Sequence, residues 1–420
     1  MPRILLTAAG SHGDVAPYTG LGARLRAAGH EVTLATHDAY APLVRAAGLG
    51  FRRLPADPRS ARPGDPAPRD GAPTSRRALM RRATAFINEL GDGLADAVAE
   101  EPDTDLLLLS ATTAPLGRHL AEALGIPALE LPVVPQAPTG DFPPIVSGGR
   151  SLGPRANRAI GRLSLRIVDR LYADATRALR ARLGLPPATA RAVRRRTEAA
   201  GRPVLHGFSQ VLLPRPTDWP DALTVVGNWW PWHAPDAQLP SHIRDFLAAG
   251  PPPVFIGFGS MAGGAGERLS ALAVDALRRA RLRGILQSGW AGLAADPSED
   301  LLTVDEVPHA LLFPHTAAVV HHCGAGTAAA SLRAGVPTVP VPVTADQPFW
   351  AARLASLGVA TAPVPFADLS GERGTARLAH ALGQAAGSTA RRNHAAAAAR
   401  RMAAEDGAGA VAETLARLTT

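Results

Sequence analysis

The chain has 420 residues, 46% of them hydrophobic and 19% charged, so it can bury sizeable cores and is not disordered as a whole. Its 44 basic residues are all arginine and stand against 36 acids, giving a net charge of +8 with no lysine anywhere. One cysteine excludes an intramolecular disulfide and a cysteine-rich zinc site. At roughly 150 residues per domain the length gives two to three domains. The apolar run after Met1 ends at Ser11, too short for a signal sequence, and nowhere do about 18 apolar residues follow one another. A cytoplasmic protein is expected.

In chain order, Arg3–Ala8 is a strand-like run, followed by a glycine-containing turn and a helix over Tyr18–Ala28. Gly29-His30 closes that helix, and Glu31–Thr36 is the next strand. Strand, helix and strand within about 35 residues make a βαβ unit, hence a parallel sheet with helices on its faces. Leu106–Ser110 and Ala128–Val134 are further strand runs, while Ala56–Ser75 and Thr139–Pro154 are loops dense in proline and glycine. Around Pro214–Pro240 the periodicity stops, as expected of a linker.

A second α/β series follows: strands at Val254–Gly257, Gly284–Gln287, Leu301–Val304, Ala318–His321 and Val339–Val343, then helices over Arg391–Arg401 and Ala408–Leu418. The fold class is therefore α/β, two doubly wound Rossmann-like halves with a ligand cleft between them. The expected division is 1–213, a linker at 214–240, 241–390, and C-terminal helices over 391–420 packing back on the first half.

The sharpest signal is Ala317 to Thr327, a strand running into Cys323-Gly324-Ala325-Gly326-Thr327 and a helix. Such a turn frees main-chain N–H groups at a helix N-terminus, where the dipole favours an anion. With His322 and the Thr327 hydroxyl it can cradle a diphosphate without lysine or metal; it lacks the Lys-Ser/Thr ending of a P-loop. An ordinary tight turn is the plainer alternative. The adjacent His321 and His322 point to opposite faces of a strand and are a poor pair for one metal ion.

The segment from Val304 to Gln347 resembles the donor-binding signature of family 1 inverting glycosyltransferases, which have the GT-B fold. The resemblance extends to Gly10–Pro17 and to Gly257-Phe258-Gly259-Ser260-Met261, so it touches both halves. It points to the actinobacterial enzymes that glycosylate antibiotics and to the sterol glucosyltransferase-like group. It implies that His322 binds the donor's α-phosphate, that Gly324, Ala325, Gly326 and Thr327 hold the diphosphate, and that Ser260 approaches it from the other side. It implies further that the main chain at Val307 reads the pyrimidine and that Asp346 and Gln347 contact sugar hydroxyls. Ala330 stands where plant relatives place a ribose-binding Glu, which makes a dTDP-sugar at least as plausible a donor as a UDP-sugar. Cys323 is expected to be structural, since relatives have Cys or Gly there.

By the same resemblance Asp14 falls at the catalytic base, with His12 as base or orienter and Ser11 a weaker candidate; an N-cap role for Asp14 is the structural alternative. The acceptor is expected over Ala56–Arg82 and Thr139–Arg150, with Phe86, Phe142, Pro143 and Ile145 lining an apolar pocket. Asp103-Thr104-Asp105 is strand-entry punctuation, and neither a metal nor another cofactor is expected. The resemblance implies metal-independent, inverting transfer from a nucleotide-sugar to a hydrophobic polyketide, macrolide or glycopeptide by a monomer or homodimer, with membrane contact at most peripheral. A sterol or lipid glucosyltransferase, a non-catalytic partner protein and, remotely, a nicotinamide- or flavin-dependent enzyme are the alternatives. Arginine is spread along the chain without a nucleic-acid motif, so no nucleic-acid partner is expected; positive potential would instead help gather an anionic donor.

Overall fold

A computed structural model describes residues 2–55, 76–259, 266–289 and 292–418, with side chains 76–79 left aside. The expected loop Ala56–Ser75 lies outside the described residues.

Seven strands form the first sheet: β1 (Arg3–Thr7), β2 (Glu31–Thr36), β3 (Gly50–Arg53), β4 (Leu106–Leu109), β5 (Ala128–Glu130), β6 (Val204–His206) and β7 (Leu223–Val225), in the order 3-2-1-4-5-6-7. Five form the second: β8 (Val254–Gly257), β9 (Gly284–Gln287), β10 (Leu301–Val304), β11 (Ala318–His321) and β12 (Thr338–Pro340), in the order 10-9-8-11-12. Every pairing is parallel, Ile4 opposite Val32 and Leu106, Val320 opposite Ile256 and Val339. Helices cover both faces, so central strands are apolar on both sides; all four residues of β4 are buried.

Strand order reverses between β1 and β4 in one sheet and between β8 and β11 in the other. Ligands of such sheets bind beyond the carboxyl ends of the strands at these switch points. The turn at Gly10 leaves β1 and the turn at His322 leaves β11, so the topology alone brings the two segments singled out above to the two switch points.

Two corrections concern the expected division. Part of the stretch 214–240 is no linker: β7 extends the first sheet, and Trp229 is buried against Tyr18, with ring centroids 5.6 Å apart, its indole N–H donating to the Gly407 carbonyl at 3.1 Å. The C-terminal helices also part company. Thr389–Met402 packs Ala395, Ala398 and Met402 into a core that joins the halves, with Leu332 and Trp350 from one side and Phe208 and Leu212 from the other. Only Gly407–Leu418 returns fully to the first half, where Val411 and Leu415 join Leu21, Leu25 and Trp229. No helix among the described residues is long and apolar enough to cross a membrane.

Candidate active site

After β11 the two histidines part as strand geometry requires. His321 is fully buried: its Nδ1 accepts the Cys323 N–H at 3.0 Å, which assigns the ring proton to Nε2, facing the Ser331 hydroxyl at 3.3 Å. Burial holds its pKa well below the ordinary value. His321 thus anchors the turn, a role the sequence did not reveal. The anchor is needed because Cys323 sits at φ +65°, a left-handed conformation that non-glycine residues rarely adopt. Such a backbone favours glycine, and burial raises the thiol pKa of Cys323, which keeps it protonated rather than a thiolate nucleophile.

His322 lies between two glycines. A Cβ added at Gly259 would stand 2.8 Å from its Cε1, and one added at Gly324 would stand 2.7 Å from its Nε2. Burial lowers its pKa to about 4, so the ring is neutral near pH 7, and its Nδ1 has no hydrogen-bond partner among the described residues. The helix Ala325–Arg333 begins at once, with Gly324 as N-cap, and its first internal bond runs from the Ala328 N–H to the Gly324 carbonyl at 2.9 Å. The N–H groups of Ala325, Gly326 and Thr327 precede that bond and have no helical acceptor. Ser260, expected opposite, lies outside the described residues.

Asp346 caps the helix Gln347–Ser356 and accepts the Trp350 indole N–H at 2.7 Å on Oδ2. Gln347 turns its Oε1 to the N–H groups of Val343 (2.8 Å) and Thr344 (3.1 Å). Oδ2 of Asp346 and Oε1 of Gln347 are thus engaged within the protein.

In the first half, the helix begins at His12, earlier than expected. Its N-cap is Ser11, and Asp14 occupies the third position, its Oδ2 accepting the Ser11 N–H (2.8 Å) and hydroxyl (2.7 Å). The Gly-Ser-His-Gly run looks like a turn but is one arm of a capping box, and Pro17 is accommodated within the helix. Asp14 is thus not the N-cap. Desolvation raises its pKa, opposed by the Ser11 bonds and by His37, and its Oδ1 is left outside the capping box. Gly10 fits only as glycine, at φ +140° with the Asp14 carboxylate 2.5 Å from any added Cβ. His12 is exposed, edge-on to Tyr40 at 6.1 Å. Buried His37, just beyond β2, accepts the Gly10 N–H on Nε2 at 2.9 Å and is a second residue whose part sequence reasoning missed.

The two rims face each other. Burial lowers His309 to about 4, with the charges of His12 from the opposite half and of His322 adding to the shift. Burial raises Asp346, with Asp14 adding repulsion across the cleft. Val307 packs in the same cluster as Ala330, beside His309 stacked on Phe313 at 4.3 Å. Asp103 and Asp105 stand at the opposite, amino end of the strands, Asp103 pairing with the Arg3 guanidinium and Asp105 accepting the Arg3 N–H at 2.7 Å. Among the described residues no group of three or more His, Cys, Asp or Glu could hold a metal ion.

Beyond β4 and β5 opens a cavity of about 430 Å³ whose walls include Phe142, Pro143, Ile145, Leu165 and Tyr172. Phe142 lies 5.4 Å from Phe349, so the cavity reaches the junction of the halves. Phe86 does not line it; it packs near His37, 6.2 Å between ring centroids. Two half-buried ion pairs sit in this region, Arg118 forked on Glu130 (2.6 and 2.8 Å) and Arg194 forked on Asp169 (3.0 and 2.8 Å).

Two doubly wound halves, with the N-terminus of the helix Ala325–Arg333 on one side of the cleft and the Asp14 carboxylate on the other, have the architecture of a GT-B transferase. Residues 4–142 match the glycosyltransferase family 28 N-terminal domain, and residues 291–418 match the erythromycin biosynthesis protein CIII-like C-terminal domain. The chain is 39% identical over 388 residues to O-mycaminosyltylonolide 6-deoxyallosyltransferase of Streptomyces fradiae (88% of this chain, 87% of that one). It is 36% identical over 402 residues to glycosyltransferase GtfE of Amycolatopsis orientalis (89% and 90%). It is 34% identical over 391 residues to a sterol 3-beta-glucosyltransferase of Arabidopsis thaliana, with 88% of this chain matched but only 59% of that longer protein. The fold is similar to the glycosyltransferase of kitacinnamycin (TM-score 0.72, 21% identity, 99% of both chains) and to VinC in complex with dTDP (TM-score 0.64, 19% identity, 98% of both). The chain belongs to the GT-B glycosyltransferase family these proteins share.

Proposed function

We propose that the protein transfers a sugar, with inversion and without a metal, from a dTDP- or UDP-sugar to a hydroxyl of a hydrophobic natural product. The observation that carries this reading is the opposition of Asp14 and Asp346 across the cleft, beside the N-terminus of the His322 loop helix. The acceptor hydroxyl gives its proton to Oδ1 of Asp14 while its oxygen attacks the anomeric carbon from the face opposite the diphosphate. The bond to the diphosphate breaks as the new C–O bond forms. The charge that develops is met by the N–H groups of Ala325, Gly326 and Thr327, the Thr327 hydroxyl and a neutral His322. A preorganised donor of this kind contributes on the order of 3 kcal/mol at the transition state. The raised pKa of Asp14 makes it a stronger base than an ordinary carboxylate. His12 orients the acceptor, Asp346 and Gln347 hold the sugar, and the main chain at Val307 reads the base, with Ser260 approaching the phosphates.

Ala330 offers no carboxylate to a ribose, and the solved relatives include complexes with dTDP, which supports a thymidine donor. The cavity's apolar walls suit a macrolide or polyketide; the likeness to a plant sterol glucosyltransferase supports a sterol as the second reading. The test is the purified full chain with a panel of dTDP- and UDP-sugars against macrolide, glycopeptide and sterol acceptors, with and without EDTA. EDTA-resistant product of inverted anomeric configuration is expected. Failure to bind or turn over any nucleotide sugar would sink the enzyme reading and leave a non-catalytic partner protein.

A further inference from the structure

We propose that the helix Pro154–Leu171, with the loop before it, docks on an anionic lipid bilayer. Five of the eight large apolar side chains that are exposed among the described residues fall within residues 146–168. Leu163 and Ile167 are 54% and 52% exposed, one helical turn apart, and Val146 and Leu152 stand out from the preceding loop. On the same stripe Arg155, Arg162, Arg166 and Arg170 are all exposed, so that Arg-Leu at 162–163 repeats as Arg-Ile at 166–167. None of these four has an acidic partner among the described residues. Arg158 of the same helix is held by Asp218, and the helix's one acid, Asp169, is taken by Arg194.

Interleaved arginine and aliphatic side chains match a headgroup layer: the guanidinium heads meet lipid phosphates while Leu and Ile enter the acyl boundary. A second copy of the chain would set like charges against like. Residues 56–75 balance three Asp with three Arg and carry no large apolar side chain, so they complement neither feature. An acidic protein surface would answer the arginines, but the position of the cavity favours lipid. Val146 and Val168 both line the cavity and are exposed, so it opens on this face, and an apolar acceptor could pass into it directly from a bilayer. That last point rests on the acceptor reading given above.

The experiment is co-sedimentation of the full chain, without donor or acceptor, with vesicles of phosphatidylcholine alone or with about 30% phosphatidylglycerol. Binding to the anionic vesicles only, weakening with salt, is expected. Arg162→Glu with Arg166→Glu should lower partitioning by ~30-fold or more, and Leu163→Ser with Ile167→Ser by at least ~10-fold. Both variants should keep nucleotide binding and the wild-type circular dichroism spectrum. Protein left in the supernatant with anionic vesicles would overturn the proposal and hand the stripe to an acidic protein surface. So would wild-type binding by the Leu/Ile variant, since that is charge adsorption alone. Because no sugar transfer is read, a failed acceptor panel and a failed vesicle assay remain separate results.

Discussion

Gly324→Ala isolates the seat of His322. At φ −59° and ψ 145° the backbone of Gly324 suits alanine, so any effect comes from the added methyl, which would lie 2.7 Å from the imidazole Nε2. An ordinary contact begins near 3.4 Å, so the ring must shift by roughly 0.7 Å, enough to carry a 2.9 Å hydrogen bond beyond 3.5 Å. A hydrogen bond to a charged partner is worth about 1.5–3 kcal/mol. Its loss should therefore weaken dTDP or UDP binding by roughly 10- to 150-fold. Replacing glycine by alanine at the N-cap also costs up to ~1 kcal/mol of stability, but that appears in Tm rather than in nucleotide affinity. Isothermal titration of the nucleoside diphosphate into wild type, Gly324→Ala, His322→Ala and the double variant closes the cycle. If the methyl acts through the ring, the two changes are non-additive and Gly324→Ala is nearly silent once His322 is gone. A full penalty retained in the His322→Ala background would show the methyl blocking phosphate directly, and would refute the reasoning.

Asp14→Asn keeps an oxygen for the Ser11 capping bonds but removes the base, so kcat should fall by about 10²–10⁴ while donor affinity changes less than about two-fold; near-normal turnover would reject Asp14. Acid should destabilise the fold through buried neutral histidines. Burial lowers His119 and His206 to about 4, with Arg180 and Arg215 respectively adding to the shift, whereas unfolded histidine titrates near 6.5. Between these values the unfolded chain binds protons that the folded chain does not, so stability is full above about pH 6.5 and falls on acidification toward 4. For each of these two side chains the loss by pH 4 is on the order of 3 kcal/mol, and denaturant midpoints that stay flat from pH 7 to 5 would contradict the assignment.

The central strands were legible because strands covered by helices on both faces must be largely apolar, as Leu106–Leu109 and residues 318–320 are. β3 was not, because it is an edge strand whose Arg52 and Arg53 serve ion pairs to Glu101 at 2.7 Å and Asp38 at 2.6 Å. β6 and β7 are three residues each, too short to show a period, and β7 hides among prolines. The proposed phosphate loop stood out in the sequence because close approach of backbone to an anion demands glycine. His37 and His321 did not, since each acts through a main-chain N–H: that of Gly10, brought near only by β1–β2 pairing, and that of Cys323, whose left-handed turn no composition rule marks. The first helix starts upstream of Tyr18 for a related reason: the Ser11–Asp14 capping box sets its N-terminus and Pro17 lies inside it.

The arginine excess takes on a narrower meaning at the cleft. Among the described residues, the groups that shift Asp14, Asp346 and His309 electrostatically are His37, Asp14, His12 and His322, none of them an arginine, and His322 itself is shifted by burial. Arginines are engaged elsewhere, in forks such as Arg118–Glu130 and in main-chain contacts such as that of Arg283 with the Phe246 carbonyl at 2.7 Å. From the described arginines the pull on an anionic donor is exerted at long range and is damped within about 8 Å at physiological salt. On contact, the described site offers helix N–H groups, a hydroxyl and a histidine already neutral at physiological pH. Such a site keeps one charge state from about pH 5 upward, because the pKa of His322 is about 4. On the proposed mechanism, a loss of turnover on the acid side follows the two cleft carboxylates, Asp14 and Asp346, both of which burial pushes up.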